Sequence, residues 1–231
     1  MKKLLLSLTM LAIISTPVLA KSPVANLKIN GDIKPPTCTI NGATQRDVIF
    51  DYGVISPTLI PQSTVYSYSD IGVQNTVTIE CDAKTYLTFT ASDTYADTEL
   101  SVNNTSGWFH LVDKANPETA VGAAFFAWDN VTVDSKPAYI SRANDVSITG
   151  TSYNNALYKG PTNGWTSEQQ SDINKNSLSL ISGEIFQASF RQGLTMSTFI
   201  LSKDELSKKG IDLSNGLDFM GEAVLTFNFG V

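Results

Sequence analysis

The sequence predicts an all-β protein with a β-sandwich architecture. Many short stretches alternate apolar and polar residues, and Gly, Pro and Asn cluster between them. Helix signals are sparse, and residues 217–231 place apolar side chains at every second position, as a half-buried strand does. A chain of 231 residues can bury a substantial core, so we expect one large β domain.

The N-terminus has the three parts of a secretory signal peptide. Lys2 and Lys3 precede a short apolar run, and a small-residue cleavage site ends at Ala20. A membrane anchor is the alternative interpretation, but the apolar run is too short to span a bilayer. We therefore expect a signal peptide at residues 1–20, a single exported domain at residues 21–231, and no membrane insertion.

The charge of the chain argues against nucleic acid as a partner. The formal net charge is −6 at pH 7, and loss of the two signal-peptide lysines makes it more negative. The sequence contains no basic cluster that would attract phosphates locally. Binding to nucleic acid or to an anionic membrane surface is therefore not expected.

Strand signals recur along the whole chain. The first is at residues 26–33, where Leu27, Ile29 and Ile33 share one side before Lys34-Pro35-Pro36 interrupts regular pairing. Further strands are predicted at residues 47–55, 75–81, 86–91, 107–112, 120–128, 146–150 and 185–190. The many short strands favour a sandwich over other architectures.

Two segments have other signatures. Ser202 and Glu205 have the spacing of a capping box, and Gly210 marks a stop, so we predict a helix of two turns at most. Residues 150–177 are rich in Asn, Ser, Thr, Gly and Gln. This composition predicts either a long polar loop or a pair of short edge strands.

The sequence contains little that favours catalysis. His110 is the only histidine, and no Gly-x-Ser-x-Gly elbow accompanies it. The carboxylates show no pairing that predicts glycoside hydrolysis, and the set Asp93, Asp97 and Glu99 is better explained as a solvated turn than as a calcium site. We expect no enzyme activity, no cofactor and no metal.

Aromatic residues raise one question about ligands. Trp108 and Trp128 lie in predicted strands and are expected in the core. Trp165 lies in the polar region, so we predict it as a candidate carbohydrate-stacking residue.

Two cysteines remain after removal of the signal peptide. In an oxidising compartment Cys38 and Cys81 most readily form a disulfide, and two buried free thiols are the alternative. The chain-entropy model assigns about 4 kcal/mol to such a bond as an upper figure.

The last strand decides which partners the protein needs. Its core-side residues are Ala223, Leu225, Phe227, Phe229 and Val231. No sequence follows to form a hairpin with it. We therefore expect this strand to pair with an earlier strand or with another molecule.

These features together resemble the fimbrial subunits of the bacterial chaperone–usher pathway, and most closely the longer, poorly characterised fimbrial-like proteins. The resemblance rests on a signal peptide, the segment Asn-Leu-Lys-Ile-Asn-Gly-Asp-Ile-Lys-Pro-Pro-Thr-Cys ending at Cys38, and Phe-Asp-Tyr-Gly-Val-Ile at residues 50–55. It also rests on a cysteine in a strand, Thr-Val-Thr-Ile-Glu-Cys81, and on the alternating C-terminal strand.

The resemblance implies an immunoglobulin-like sandwich that lacks its final strand and carries a disulfide between Cys38 and Cys81. The missing strand would leave a groove beside the C-terminal strand. A periplasmic chaperone would fill it first, and another fimbrial subunit would replace the chaperone at an outer-membrane usher. The protein would then be a non-catalytic structural subunit in the periplasm and on the cell surface, with a tip or minor subunit as one of its roles.

Two points remain open at the sequence level. The face formed by Leu27, Ile29 and Ile33 is either a donor strand for another subunit or the first strand of this domain. The alternative function is a self-contained periplasmic or secreted sandwich that binds a carbohydrate or acts as an adhesin.

Overall fold

The computed structural model describes residues 25–68, 73–102, 105–192 and 197–230. The predicted signal peptide and Val231 lie outside the described residues. The chain divides into two compact units, residues 1–34 and residues 35–231. In the first unit, residues 25–34 form no helix or strand, and their side chains are exposed.

The second unit is built from strands, which confirms the all-β, sandwich-like fold class. Its described residues form β1 (Cys38–Ile40), β2 (Tyr66–Ser67), β3 (Gln74–Asp93), β4 (Trp108–Asp113), β5 (Ala120–Val133), β6 (Lys136–Pro137), β7 (Tyr139–Ala143), β8 (Asn163–Thr166), β9 (Ser171–Ile173), β10 (Ser182–Gln192), β11 (Phe199–Ile200), β12 (Phe219–Met220) and β13 (Ala223–Phe229). They also form the helix α1 (Lys203–Lys208) and short 3₁₀ turns at Pro57–Leu59, Lys175–Ser177 and Leu213–Asn215.

Two long strands, β3 and β5, organise the sheet. The path of hydrogen-bonded neighbours is β12-β4-β5-β10-β3-β8-β7-β9. The first half of β3 lies between β1 and β10, and its second half lies between β13 and β8. Because each long strand changes partners along its length, it connects groups of strands that pack face to face.

The main apolar core lies between these groups of strands. It includes Phe89 from β3, Phe186 from β10, Trp128 from β5 and Trp165 from β8. A second cluster packs beneath α1, where Leu206 is fully buried. The outer positions of the strands are largely polar, as the alternation predicts.

Several predicted strands are confirmed, and some of them are longer than expected. The strands predicted at 120–128 and 185–190 lie within the longer strands β5 and β10, whereas the strand predicted at 107–112 is shifted by one residue in β4. The predicted strands at 75–81 and 86–91 are one strand, β3, because the polar stretch between them stays extended. Asp82 in this stretch donates its backbone N–H to the Thr37 carbonyl, so strand pairing continues beyond residue 81.

Three strand predictions are wrong. Residues 26–33 and 47–55 form no strand, and neither do residues 146–150. Gly53 and Gly150 have φ of 64° and 89°, which are incompatible with an extended strand. Alternation at 47–55 instead places Phe50 against Phe126 of the core, with ring centroids 5.1 Å apart.

The helix and the polar region agree with expectation. The hydroxyl of Ser202 accepts from the Glu205 N–H, so it caps α1. Residues 150–177 contain two short strands, β8 and β9, but only β9 ends the path of the sheet, so the alternative of two short edge strands is correct in part. However, β8 is fully buried between β3 and β7, because it carries Trp165 into the core.

The C-terminal region is two strands, not one. Gly221 breaks the alternation between β12 and β13, where a Cβ atom would lie 2.7 Å from the His110 carbonyl oxygen. β12 pairs with β4, whereas β13 crosses to pair with β3. The uninterrupted strand predicted over residues 217–231 is therefore shorter, and its single long partner is β3.

Candidate functional site

The candidate site is the outer edge of β13. This strand runs antiparallel to β3 in seven consecutive residue pairs, from Ala223 opposite Asp93 to Phe229 opposite Leu87. Among the described residues, no strand other than β3 pairs with β13. Its second edge therefore presents unpaired backbone N–H and C=O groups.

The apolar side chains of β13 are incompletely covered. Leu225 and Phe227 are half-buried, and Phe229 is 50% exposed. Their neighbours on β3 are fully enclosed, with Leu87 1% exposed and Phe89 0% exposed. The burial of apolar side chains thus decreases from β3 to the neighbouring strand β13, so the core is incompletely covered on the side of β13.

Aromatic rings form the floor beneath this edge. The ring centroid of Phe227 lies 5.8 Å from that of Phe89 and 6.5 Å from that of Trp165. Trp165 also contacts Phe186 at 5.5 Å. A partner that covers Phe227 would therefore complete an existing aromatic layer.

The prediction of Trp165 as a ligand-stacking residue is wrong. Its side chain is 1% exposed, and its indole N–H donates to the Gln187 carbonyl at 3.3 Å. The polar composition around it reflects the loops that flank β8, not the environment of β8 itself.

Strand β1 and the end of β13 lie along the same edge of β3. β10 follows the opposite edge as far as Ser182, which pairs with Tyr86. Gly230 donates its N–H to the Tyr86 carbonyl, and Asp82 donates to the Thr37 carbonyl. Asp82 and Tyr86 are four residues apart on β3, which corresponds to roughly 13 Å in a strand. This is the separation along β3 between Thr37, where the chain joins the sheet, and the end of β13.

The disulfide holds β1 in this position. Cys38 and Cys81 are bonded and lie opposite each other in the β1–β3 pairing. This confirms the disulfide over the alternative of two free thiols. Because the bond joins the N-terminal strand to the middle of β3, it fixes one border of the edge that β13 extends.

The first unit carries an unpaired apolar face. Leu27, Ile29 and Ile33 are exposed over essentially their whole side chains and belong to no strand. The interpretation of this segment as the first strand of the domain is therefore wrong. The donor interpretation stays a prediction.

A buried charged cluster at the start of β13 was not foreseen. His110 Nδ1 lies 2.6 Å from Asp93 Oδ2, and both side chains are 0% exposed. The Lys159 ammonium lies 3.6 Å from the same oxygen and donates to the Trp108 carbonyl at 2.6 Å. No local sequence pattern predicts this cluster, because its three residues come from distant segments.

Hydrogen bonding decides the charge state of this cluster. Burial by itself raises the pKa of Asp93. Hydrogen bonds from the His110 side chain and from the His110 and Tyr95 N–H groups outweigh this effect, so the pKa of Asp93 lies below its usual range. Burial lowers the pKa of Lys159, and Asp93 partly offsets this effect. The cluster is thus a structural anchor that joins β3, β4 and residue 159.

The carboxylates considered from the sequence as a metal site do not come together among the described residues. Among residues 25–68, 73–102, 105–192 and 197–230, no group of three His, Cys, Asp or Glu side chains is arranged to hold a metal ion. Asp93 faces His110 and not Asp97 or Glu99. Within the same ranges, no helix is long and apolar enough to cross a membrane.

Comparison with known proteins supplies one match. Residues 27–127 match a family model described as "Protein of unknown function (DUF1120)". This match covers less than half of the chain and does not include β13. No curated protein matches the sequence.

Proposed function

We propose that this protein is a non-catalytic, fimbrial-type structural subunit whose β13 edge receives a strand from a partner. The partners would be a periplasmic chaperone, an outer-membrane usher and other fimbrial subunits. The protein would act in the periplasm and then on the cell surface. The observation that carries this proposal is the seven-residue β13, unpaired on one edge and half-buried on its core side.

Backbone geometry supports strand addition. A strand of seven residues offers hydrogen-bonding groups along one edge, and an extended peptide can pair with all of them. Proteins normally blunt such edges with charges, proline or bulges. The core-side positions of β13 are instead Ala223, Leu225, Phe227 and Phe229, so the edge is suited to association.

Side-chain energetics support the same proposal. Complete burial of one large apolar side chain stabilises a structure by about 1.5–3 kcal/mol. Leu225, Phe227 and Phe229 are each only partly buried, so further burial of these side chains would give further stabilisation. A partner strand that covers all three would gain several kcal/mol, which is comparable with the net stability of a domain.

A donor for such an edge exists in the same sequence. Leu27 to Ile33 spans seven residues, as β13 does, with apolar side chains on one parity and Lys28, Asn30 and Asp32 on the other. Its apolar side chains are fully exposed. We therefore propose that residues 25–34 of one copy serve another subunit as the added strand.

The direct test is capture by a cognate periplasmic chaperone. Phe227→Asp places a charge on the core side of β13, whereas Thr226→Asp places the same charge on the exposed outer side and is the matched control. We expect Phe227→Asp to weaken capture by about tenfold or more, because at least ~1.5 kcal/mol of burial is lost. Pull-down with purified chaperone measures the ratio.

Folding must be measured alongside capture, because Phe227 also contacts the core. Circular dichroism of both variants and of the milder Leu225→Ser separates unfolding from loss of binding. Equal capture of Phe227→Asp and Thr226→Asp, with both folded, would contradict the proposed edge. A monomer that folds fully and stays soluble with no chaperone would favour the self-contained sandwich instead.

A further inference from the structure

Four side chains form a row across the sheet, on the face that is directed to the core. Phe227 of β13 lies opposite Phe89 of β3, Phe89 lies opposite Asn163 of β8, and Asn163 lies opposite Arg142 of β7. Directly opposed residues of antiparallel strands share a face. The aromatic half of this row therefore continues into a buried polar half.

The two polar members of the row are deeply buried. Asn163 is 0% exposed and Arg142 is 2% exposed. Buried polar groups are costly unless each donor and acceptor is satisfied. Their hydrogen bonds can therefore be accounted for atom by atom.

Most of their polar atoms have partners. Arg142 donates through Nη1 to the Tyr153 carbonyl at 3.2 Å and through Nη2 to the Ser152 hydroxyl at 2.6 Å. Its guanidinium also lies 4.7 Å from the ring centroid of Tyr158. Asn163 donates through Nδ2 to the Pro161 carbonyl at 2.9 Å.

One donor and one acceptor remain. Arg142 Nε and Asn163 Oδ1 are buried, and neither is hydrogen bonded to a group of the described residues. They belong to directly opposed residues, whose Cβ atoms are about 5 Å apart in an antiparallel pair. Two neighbouring side chains thus leave complementary atoms unsatisfied.

The chemistry of the two atoms identifies what fits between them. The ligand must accept a hydrogen bond from Nε and donate one to Oδ1. A simple anion cannot donate, a simple cation cannot accept, and a larger molecule has no path because both atoms are shielded from solvent. We propose that a single internal water molecule binds between Arg142 Nε and Asn163 Oδ1.

This water site has a structural consequence that is independent of the proposed function. It links β7 to β8 on the core side of the sheet. Through Arg142 it also connects both strands to residues 152 and 153 of the covering loop. Internal waters of this kind satisfy groups that would otherwise destabilise the fold.

A crystal structure of the exported chain tests the proposal directly. We expect one density peak about 2.7–3.2 Å from both Arg142 Nε and Asn163 Oδ1. A direct hydrogen bond between the two atoms with no density between them would overturn the proposal. So would the absence of any peak at well-ordered side chains.

A solution experiment supplies an independent readout. In the wild-type protein, we expect a cross-relaxation peak between the Arg142 Nε–H and water with the sign of a long-lived bound molecule. Asn163→Leu removes the acceptor at similar shape and should abolish this peak, whereas the exposed Asn176→Leu should retain it. Persistence of the peak in Asn163→Leu would contradict the site; if that variant does not fold, the wild-type spectrum and the density peak still decide the question.

Discussion

Asp93 is the residue on which most of the buried electrostatics depends. Its carboxylate accepts hydrogen bonds from the His110 ring and from two backbone N–H groups. It also lies near the Lys159 ammonium. A buried charge that loses its counterpart destabilises a protein strongly. Replacement of Asp93 therefore removes the buried anion that the His110 ring and the Lys159 ammonium both face.

The pKa of Asp93 predicts how stability depends on pH. Because its pKa is lower in the folded than in the unfolded state, the carboxylate stabilises the fold above its ordinary pKa of about 3.9. That contribution is lost as the pH falls through the lowered value. We expect Asp93→Asn to lose about 3 kcal/mol at pH 7, with a smaller difference from wild type near pH 3.

Urea unfolding at several pH values measures this difference. Asp97→Asn is the matched control, since Asp97 is exposed and close in sequence. A constant difference between wild type and Asp93→Asn from pH 7 to pH 3 would show that the charge of Asp93 does not matter.

Gly221 predicts a packing effect. A Cβ atom there would lie 2.7 Å from both the His110 backbone oxygen and Leu111 Cδ2, and the backbone oxygen cannot move cheaply. We expect Gly221→Ala to cost about 2 kcal/mol through overpacking. Gly31→Ala, with nothing within 4 Å, should leave the melting temperature unchanged; an equal effect of both substitutions would refute the close contact.

At the scale of elements, β13 and β1 together define the open side of the molecule. Both lie along one edge of β3, and the disulfide attaches β1 to that edge. The strand pairing of β1 covers only three residues, so its own hydrogen bonds hold it weakly. The covalent bond is therefore expected to contribute most of its stability.

Removal of the disulfide tests this expectation. Cys38→Ser should lower the free energy of unfolding by about 2–4 kcal/mol and reduce the steady-state level in the periplasm. Reduction of the wild-type protein with a thiol should reproduce the loss, and the same thiol should not affect Cys38→Ser further. An unchanged melting temperature in the variant would mean that the bond contributes nothing to stability.

At the scale of the whole molecule, the described residues include one strand, β13, that is paired along one edge only, and one exposed apolar segment, residues 25–34, that lies in no strand. An interface between two different surfaces of identical chains, as in the proposed assembly, extends into a fibre when its rotation does not close a ring. This would place the protein within the shaft as well as at an end. The proposed assembly therefore makes a prediction about the isolated segment.

A synthetic peptide of residues 25–34 should bind to the full chain in trans. Binding to the native state alone raises the melting temperature in proportion to the logarithm of peptide concentration. A peptide with Ile29→Asp should have no effect, because it places a charge on the apolar parity. Identical shifts from the two peptides, measured by thermal denaturation, would argue against strand addition at the edge.

Alternation identified the strands whose one face is buried and whose other face is exposed. β4, β10 and α1 were predicted because apolar spacing or a capping residue is a local signal. The segment at residues 47–55 failed because Gly53 turns the backbone, and its aromatic side chain packs from an irregular segment. The position of Trp165 failed because polar flanks concealed a short, buried strand.

The sequence was sufficient for the all-β class and the apolar C-terminal strand, since both depend on residue type and short spacing. It was also sufficient for the disulfide, because the chain has two cysteines only. Other features arise from contacts between segments far apart in sequence: the pairing of β13 with β3, the incomplete burial of Phe227, the Asp93 cluster and the Arg142–Asn163 pair. Such contacts depend on how the long strands change partners, and no local alternation encodes which edge of a sheet stays open.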